Sequence, residues 1–192
     1  MHVRRVVCEA YERDDGLWDI EARMVDQREE PMPLIRGGTV PAGEPLHDMR
    51  IRVTIDLDMK IVAIEARTVA APTLACGLVD DSYKALEGTT LGPGLNARIR
   101  ETVRGVLGCT HLTALLQPVA TTALQAVWPR VANLRWGPGA VPHDGPEFSA
   151  ELVNTCRAYR ADGEVIPVMW RQFRKRFEDG EFPADDFIKD PP

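Results

Sequence analysis

Apolar and polar residues alternate through two long stretches in the first third of the chain. In "VVCEAYERDDGLWDIEARMVDQRE" (6–29), Trp18, Ile20, Ala22 and Met24 alternate with Asp19, Glu21 and Arg23, and Asp14-Asp15-Gly16 supplies a turn. A period of two predicts a hairpin with one buried face. The pattern returns in "HDMRIRVTIDLDMKIVAIEARTV" (47–69), where Met49, Ile51, Val53, Ile55 and Leu57 share one face, Arg50, Arg52, Thr54 and Asp56 share the other, and Val62, Ile64 and Ala66 continue on the return strand. Between them, "EPMPLIRGGTVPAGEP" is rich in Pro and Gly and too long for a simple turn, so 31–45 is expected to be either a mobile cover, which could act as a lid, or a disordered connector. Two hairpins in series predict an antiparallel meander of about four strands, whose apolar face needs a second layer.

The pattern then changes to a helical period. "CGLVDDSYKALEG" reads as a short helix ended by Gly88, "NARIRETVRGVLG" as another, and 109 to about 128 as a longer one with Leu112, Leu115, Leu116, Val119, Ala123, Leu124 and Val127 in a stripe. Pro118 lacks an amide hydrogen and is expected to kink that helix. Phe148, Leu152, Cys156 and Tyr159 predict a further helix, followed by a turn at Asp162-Gly163, and Trp170, Phe173 and Phe177 predict another before a tail. The expected fold is α+β in a single domain over 1–192: a meander over 1–70, a helical layer over 76–130 and C-terminal helices over 147–192.

Composition narrows the function classes. A chain of 192 residues with net charge -6 and interleaved acidic and basic residues lacks the basic face of a duplex nucleic-acid binder. No stretch has the apolar run of a signal peptide or the ~20 apolar residues of a membrane span, so a cytoplasmic location is expected, with no membrane partner. Small molecules or partner proteins remain. Four widely spaced cysteines in such a compartment are read as buried thiols or ligands, not disulfides.

Candidate chemistry gathers where elements begin. His47 has the parity of Met49, Ile51 and Val53, so its imidazole points to the buried face, while Asp48 points away unless the strand is irregular there. Cys76 stands at the start of the first covering helix. Cys109, after Gly108, stands at the start of the long one, where exposed amides and the macrodipole favour a thiolate. His111 lies two residues on. His47, Cys76, Cys109 and His111 form a borderline-soft donor set suited to zinc or iron, open for catalysis with three ligands and closed with four. Buried thiols and a histidine bonded to a carbonyl are the plain alternative. Cys8 and Cys156 read as core, and His143 as a solvated loop residue. "RQFRKRF" reads as a solvated helix face, and "LGPGL" lacks the residues of a phosphate loop.

The blocks "RDDGLWDIEARMVD", "LHDMRIRVTID" and "LGCTHLTALLQPVATTALQAV" resemble the signature of an uncharacterised bacterial family, domain of unknown function 2889, from residue 4 to about 160. More distantly, strands followed by a cysteine and then by helices, with a Cys/His pair opening a late helix, are similar to the SufE/NifU-like iron–sulfur scaffold and sulfur-acceptor proteins. That likeness implies a zinc ion or nascent cluster held by Cys76 and by Cys109 with His111. The scaffold proteins use three cysteines and an aspartate and place His before Cys, whereas this chain has two plausible cysteines, the order Cys-Thr-His, and His47-Asp48. Histidine in place of sulfur favours a mononuclear metal. The leading expectation is therefore a metal-dependent enzyme acting on a small organic molecule by hydrolysis or proton transfer next to a carbonyl, with Asp48 orienting His47 or moving a proton. A metal, cluster or persulfide scaffold with partner proteins and a metal-free binding domain follow in that order.

Overall fold

Residues 1–35, 37–136, 154 and 156–165 are described by the structure, a computed structural model. Strands β1 (His2–Glu12), β2 (Trp18–Arg28), β5 (Pro45–Ile55) and β6 (Ile61–Ala70) form one antiparallel sheet in the order β1-β2-β5-β6. Within the segment read as a loop, β3 (Met32–Pro33) and β4 (Thr39–Val40) pair as a small hairpin of their own.

Alternation is obeyed closely along β2 and β5. Ile20, Ala22, Met24, Met49, Ile51, Val53 and Ile55 are all at most 3% exposed, and together they form the sheet side of the core. On β6 the pattern slips. A register shift beside Ile55 pairs it with Ile61, so Ile61 enters the core and Val62, expected there, is 48% exposed.

The second layer is helical, as the period requires, but its pieces differ from those expected. Leu74–Leu86 is 3₁₀ throughout, capped by the Thr73 hydroxyl, which accepts from Ala75 N–H. Asp80 ties it to β6 by accepting from the Thr68 amide and hydroxyl, both at 2.8 Å. Helix α1 covers only Leu95–Thr102, because Val103 leaves the helical region and Gly105 adopts φ 61°, after which Gly105–Leu107 forms one 3₁₀ turn. Helix α2 runs Thr110–Trp136 through Pro118 and Pro129, past the expected end. Leu112, Leu115, Leu116, Val119, Ala123 and Val127 bury the predicted stripe, while Leu124 is partly exposed.

The chain divides into two compact units, Met1–Val131 and Ala132–Pro192. In the second, a 3₁₀ turn at Arg157–Tyr159 precedes the predicted turn, closed by Gly163 N–H donating to Arg160 carbonyl at 3.0 Å. Cys156, read from sequence as core, is exposed. Its spacing from Phe148 and Leu152 predicts a buried face, but Cys156 immediately precedes a short turn and has extended backbone. Phe148, Leu152, His143 and the segment from Trp170 onward lie outside the described residues. Among the described residues no helix is long and apolar enough to cross a membrane.

Candidate metal centre

The inner-face row of β2 ends in an acid. Trp18, Ile20, Ala22 and Met24 are followed at the same parity by Asp26, whose residue exposure is 1%. A buried carboxylate needs partners, and the neighbouring strands supply them in register: Arg4 of β1 and His47 of β5 both stand directly opposite Asp26. Arg4 Nε and Nη2 donate to the two carboxylate oxygens, each at 2.7 Å, and His47 Nδ1 lies 3.1 Å from Oδ2. His2, one inner-face position before Arg4, brings Nε2 to 3.5 Å from Oδ1.

The helical layer closes the group from above. His111, in the first turn of α2, places Nε2 3.9 Å from Asp26 Oδ2, and its ring centroid is 3.9 Å from that of His47. One ligand atom from each of Asp26, His47 and His111 lies within 4.8 Å of the others. Two imidazoles and a carboxylate suit zinc or ferrous iron and leave coordination positions open.

Two local features aim His111. Gly108 sits where an added Cβ would meet the Val103 carbonyl oxygen at 2.1 Å, so only glycine lets the chain turn this tightly into α2. Tyr83, fully buried in the 3₁₀ segment, donates its hydroxyl to the Cys109 carbonyl at 2.8 Å, accepts from Cys109 N–H at 3.0 Å and shares a hydrogen bond with Thr113 Oγ1 at 2.8 Å. It satisfies the Cys109 amide, which a helix start leaves without an intrahelical partner, while the Cys109 carbonyl also accepts from Thr113 N–H at 2.9 Å.

The electrostatics keep the acid charged and the bases neutral. Arg4 holds Asp26 down to about 2, against the penalty of burial and with help from His47 and His2. Burial pushes His47 below its ordinary value despite Asp26, and it lowers His111 as well, with His47 and Arg4 adding to the effect. Neutral imidazoles are the form that binds a metal ion.

The residues expected from sequence divide here. His47 and His111 meet, with His47 on the face its parity predicts. The Cys109 sulfur lies 3.8 Å from His111 Nδ1, whereas it is Nε2 of that ring that approaches Asp26. Cys76 is outside the three-residue group. It belongs to a segment tied to the edge strand β6, while Asp26 is on β2, two strands away. Asp48 does not meet His47. It takes a two-point hydrogen bond from Arg23 at 2.9 and 2.8 Å on the opposite face, and Arg23 lowers its pKa. Sequence reasoning passes over Asp26 and Arg4, although an acid continuing a buried apolar row is itself a signal.

No curated protein and no solved structure matches the chain. Residues 2–125, which include Arg4, Asp26, His47 and His111, match the family described as protein of unknown function (DUF2889), and the chain belongs to that family.

Proposed function

We propose that Asp26, His47 and His111 bind one zinc or ferrous ion, and that the protein is a metal-dependent enzyme acting on a small organic molecule by hydrolysis or by proton transfer next to a carbonyl. The observation carrying this reading is the convergence of two neutral imidazoles and an ionised carboxylate, from two strands and a helix start, within 4.8 Å. A bound ion of this kind polarises a carbonyl or lowers the pKa of its water to about 7. Arg4 keeps Asp26 ionised and oriented, and a carboxylate has lone pairs left for a metal after accepting both arginine bonds. The Cys109 sulfur is placed to accept from His111 Nδ1–H, which would leave Nε2 free to bind. His2 and Arg4 are about half-exposed at the rim, where a substrate would enter. Separation of Cys76 from this group gives the enzyme reading more support than a SufE/NifU-like sulfur scaffold, which would draw on both thiols.

The test is metal analysis of untagged protein after equilibration with zinc, or with ferrous iron under nitrogen, beside His111→Ala. About one ion per chain, lost in the variant while the far-ultraviolet spectrum is unchanged, is the expected result. Equal metal in the two proteins, or none in either, would refute the site.

A further inference from the structure

Strand β1 pairs with β2 along one side, and among the described residues no strand pairs with its other side. Exposed strand edges are ordinarily blunted by proline, lysine, a bulge or short length. β1 has none of these: it runs eleven residues, His2–Glu12, without Pro, Gly or Lys and without a register shift against β2. It also presents Val6, Val7 and Tyr11 to solvent, each between 45% and 54% exposed.

Parity fixes which backbone groups lie on the open edge. At the two ends of the β1–β2 ladder, Glu29 N–H donates to the Met1 carbonyl at 3.1 Å and Arg13 N–H to the Leu17 carbonyl at 2.9 Å. The register is unbroken between these bonds, so the odd-numbered residues of β1 exchange hydrogen bonds with β2. The even-numbered ones, from His2 to Glu12, direct their amides and carbonyls outward.

A twofold axis normal to the sheet at Val7 sets a second copy of the strand antiparallel to the first. It pairs His2 with Glu12, Arg4 with Ala10, Arg5 with Glu9 and Val6 with Cys8 of the other copy, and Val7 with itself. Outward amides then meet outward carbonyls along the whole strand, and the inner faces of both sheets stay on one side. The charges favour this alignment. Within the chain, Arg5 makes no ion pair among the described residues and donates to Gln27 Oε1 at 2.8 Å, while Glu9 stands opposite the like-charged Glu21 and accepts from Tyr11. Across the axis Arg5 and Glu9 neutralise each other, twice by symmetry. Moving the axis to Val6 or Cys8 sets Glu9 against Val3 or Val7 and shortens the ladder.

We propose that this edge is an interface with a second copy of the chain, in which the two β1 strands pair about Val7 and join two four-stranded sheets into one. Val6 and Val7 of the two copies cover one another, which accounts for their exposure in the single chain.

The full chain is followed by sedimentation velocity across a range of concentrations, in chelator-treated buffer. A dimer that dissociates on dilution is expected. Arg5→Glu sets like charges opposite each other twice and is expected to raise the dimer dissociation constant at least about tenfold. Adding Glu9→Arg to it restores opposite charges and is expected to bring the constant back toward the parent value. Val6→Pro removes an outward donor and is expected to leave monomer. Arg100→Glu on α1 and His111→Ala are expected to dimerise as the parent does, the latter separating this interface from the metal centre. Circular dichroism checks that each variant folds. A monomer at every concentration, or an open series of larger oligomers, overturns the proposal. A dimer that Arg5→Glu leaves intact, or whose loss Glu9→Arg does not reverse, overturns it as well.

Discussion

Replacing Gly108 with alanine tests whether the turn into α2 is what aims His111. The added Cβ would lie 2.1 Å from the Val103 carbonyl oxygen, 2.9 Å from its carbon and 3.1 Å from Val103 Cβ. Backbone atoms cannot swing aside as a side-chain tip does, and non-bonded contacts need about 3 Å or more. The two chain segments must therefore part by roughly 1 Å, with a strain typical of overpacked sites, about 1–3 kcal/mol. His111 follows three residues later, and metal–ligand distances tolerate only about 0.2 Å of error. Gly108→Ala is thus expected to lower the melting temperature of the metal-free protein by roughly 2–10 °C for a chain of this size, and to weaken zinc binding about 10- to 100-fold, as loss of supporting residues around metal sites does. Gly92→Ala is the control, since its Cβ would meet nothing closer than Thr90 Cγ2 at 3.8 Å and its φ is not positive. Differential scanning fluorimetry reads the first effect and competition with a chromogenic chelator the second. A Gly108→Ala protein that melts and binds zinc like Gly92→Ala would refute the argument.

Asp26 should also set part of the acid stability. Its folded-state pKa lies near 2 against an ordinary 3.8, so its contribution, about 2 kcal/mol, is fully present above pH 4 and fades as pH falls through 2. Asp26→Asn is expected to lack that component, so urea midpoints of parent and variant should converge toward pH 2. A constant gap between them would contradict the depressed pKa. Tyr83→Phe keeps the ring but strips the Cys109 amide and Thr113 of their shared partner, so a loss of about 1–3 kcal/mol in urea unfolding is expected, with no change in m value. Unchanged stability would show that the hydroxyl is dispensable to α2.

The sheet is legible in the sequence because β2 and β5 bury one face and leave the other to charge, which makes parity informative. Parity alone assigns His47 a direction, and its imidazole takes that direction. Val62 departs from the pattern because a bulge changes parity without leaving a mark in composition. The helical period of Leu95–Thr102 continues on paper through Val103 and Leu107, but Val103 leaves the helical region and the left-handed Gly105 follows it. Asp26 escapes the pattern for a different reason. It follows four apolar or aromatic positions, and at a strand end an acid ordinarily means emergence into solvent. What keeps it inside is Arg4, 22 residues earlier, and no local pattern shows that pairing. Cys76 and Cys109 resemble one another along the chain, both following extended segments and opening helical ones, yet only Cys109 has its sulfur beside a ring of the group, 3.8 Å from His111 Nδ1.

The position of His47 and Asp48 side by side on β5 has a consequence for how the sheet finds its pairing. Register shifts lie close to His47 on both of its neighbours, between Asp26 and Gln27 on the β2 side and between Asp48 and Met49 on the β6 side. If β5 slid by one residue against β2, Asp48 would come opposite Asp26, setting two carboxylates together, and Arg50 and Arg52 would come opposite Met24 and Ala22. The native alignment gives each acid its own arginine, Arg4 on one face and Arg23 on the other. Misaligned sheets are thereby penalised twice, once by lost apolar burial and once by charge. The same ionic pairs that define the two faces act as a check on strand alignment while the chain folds.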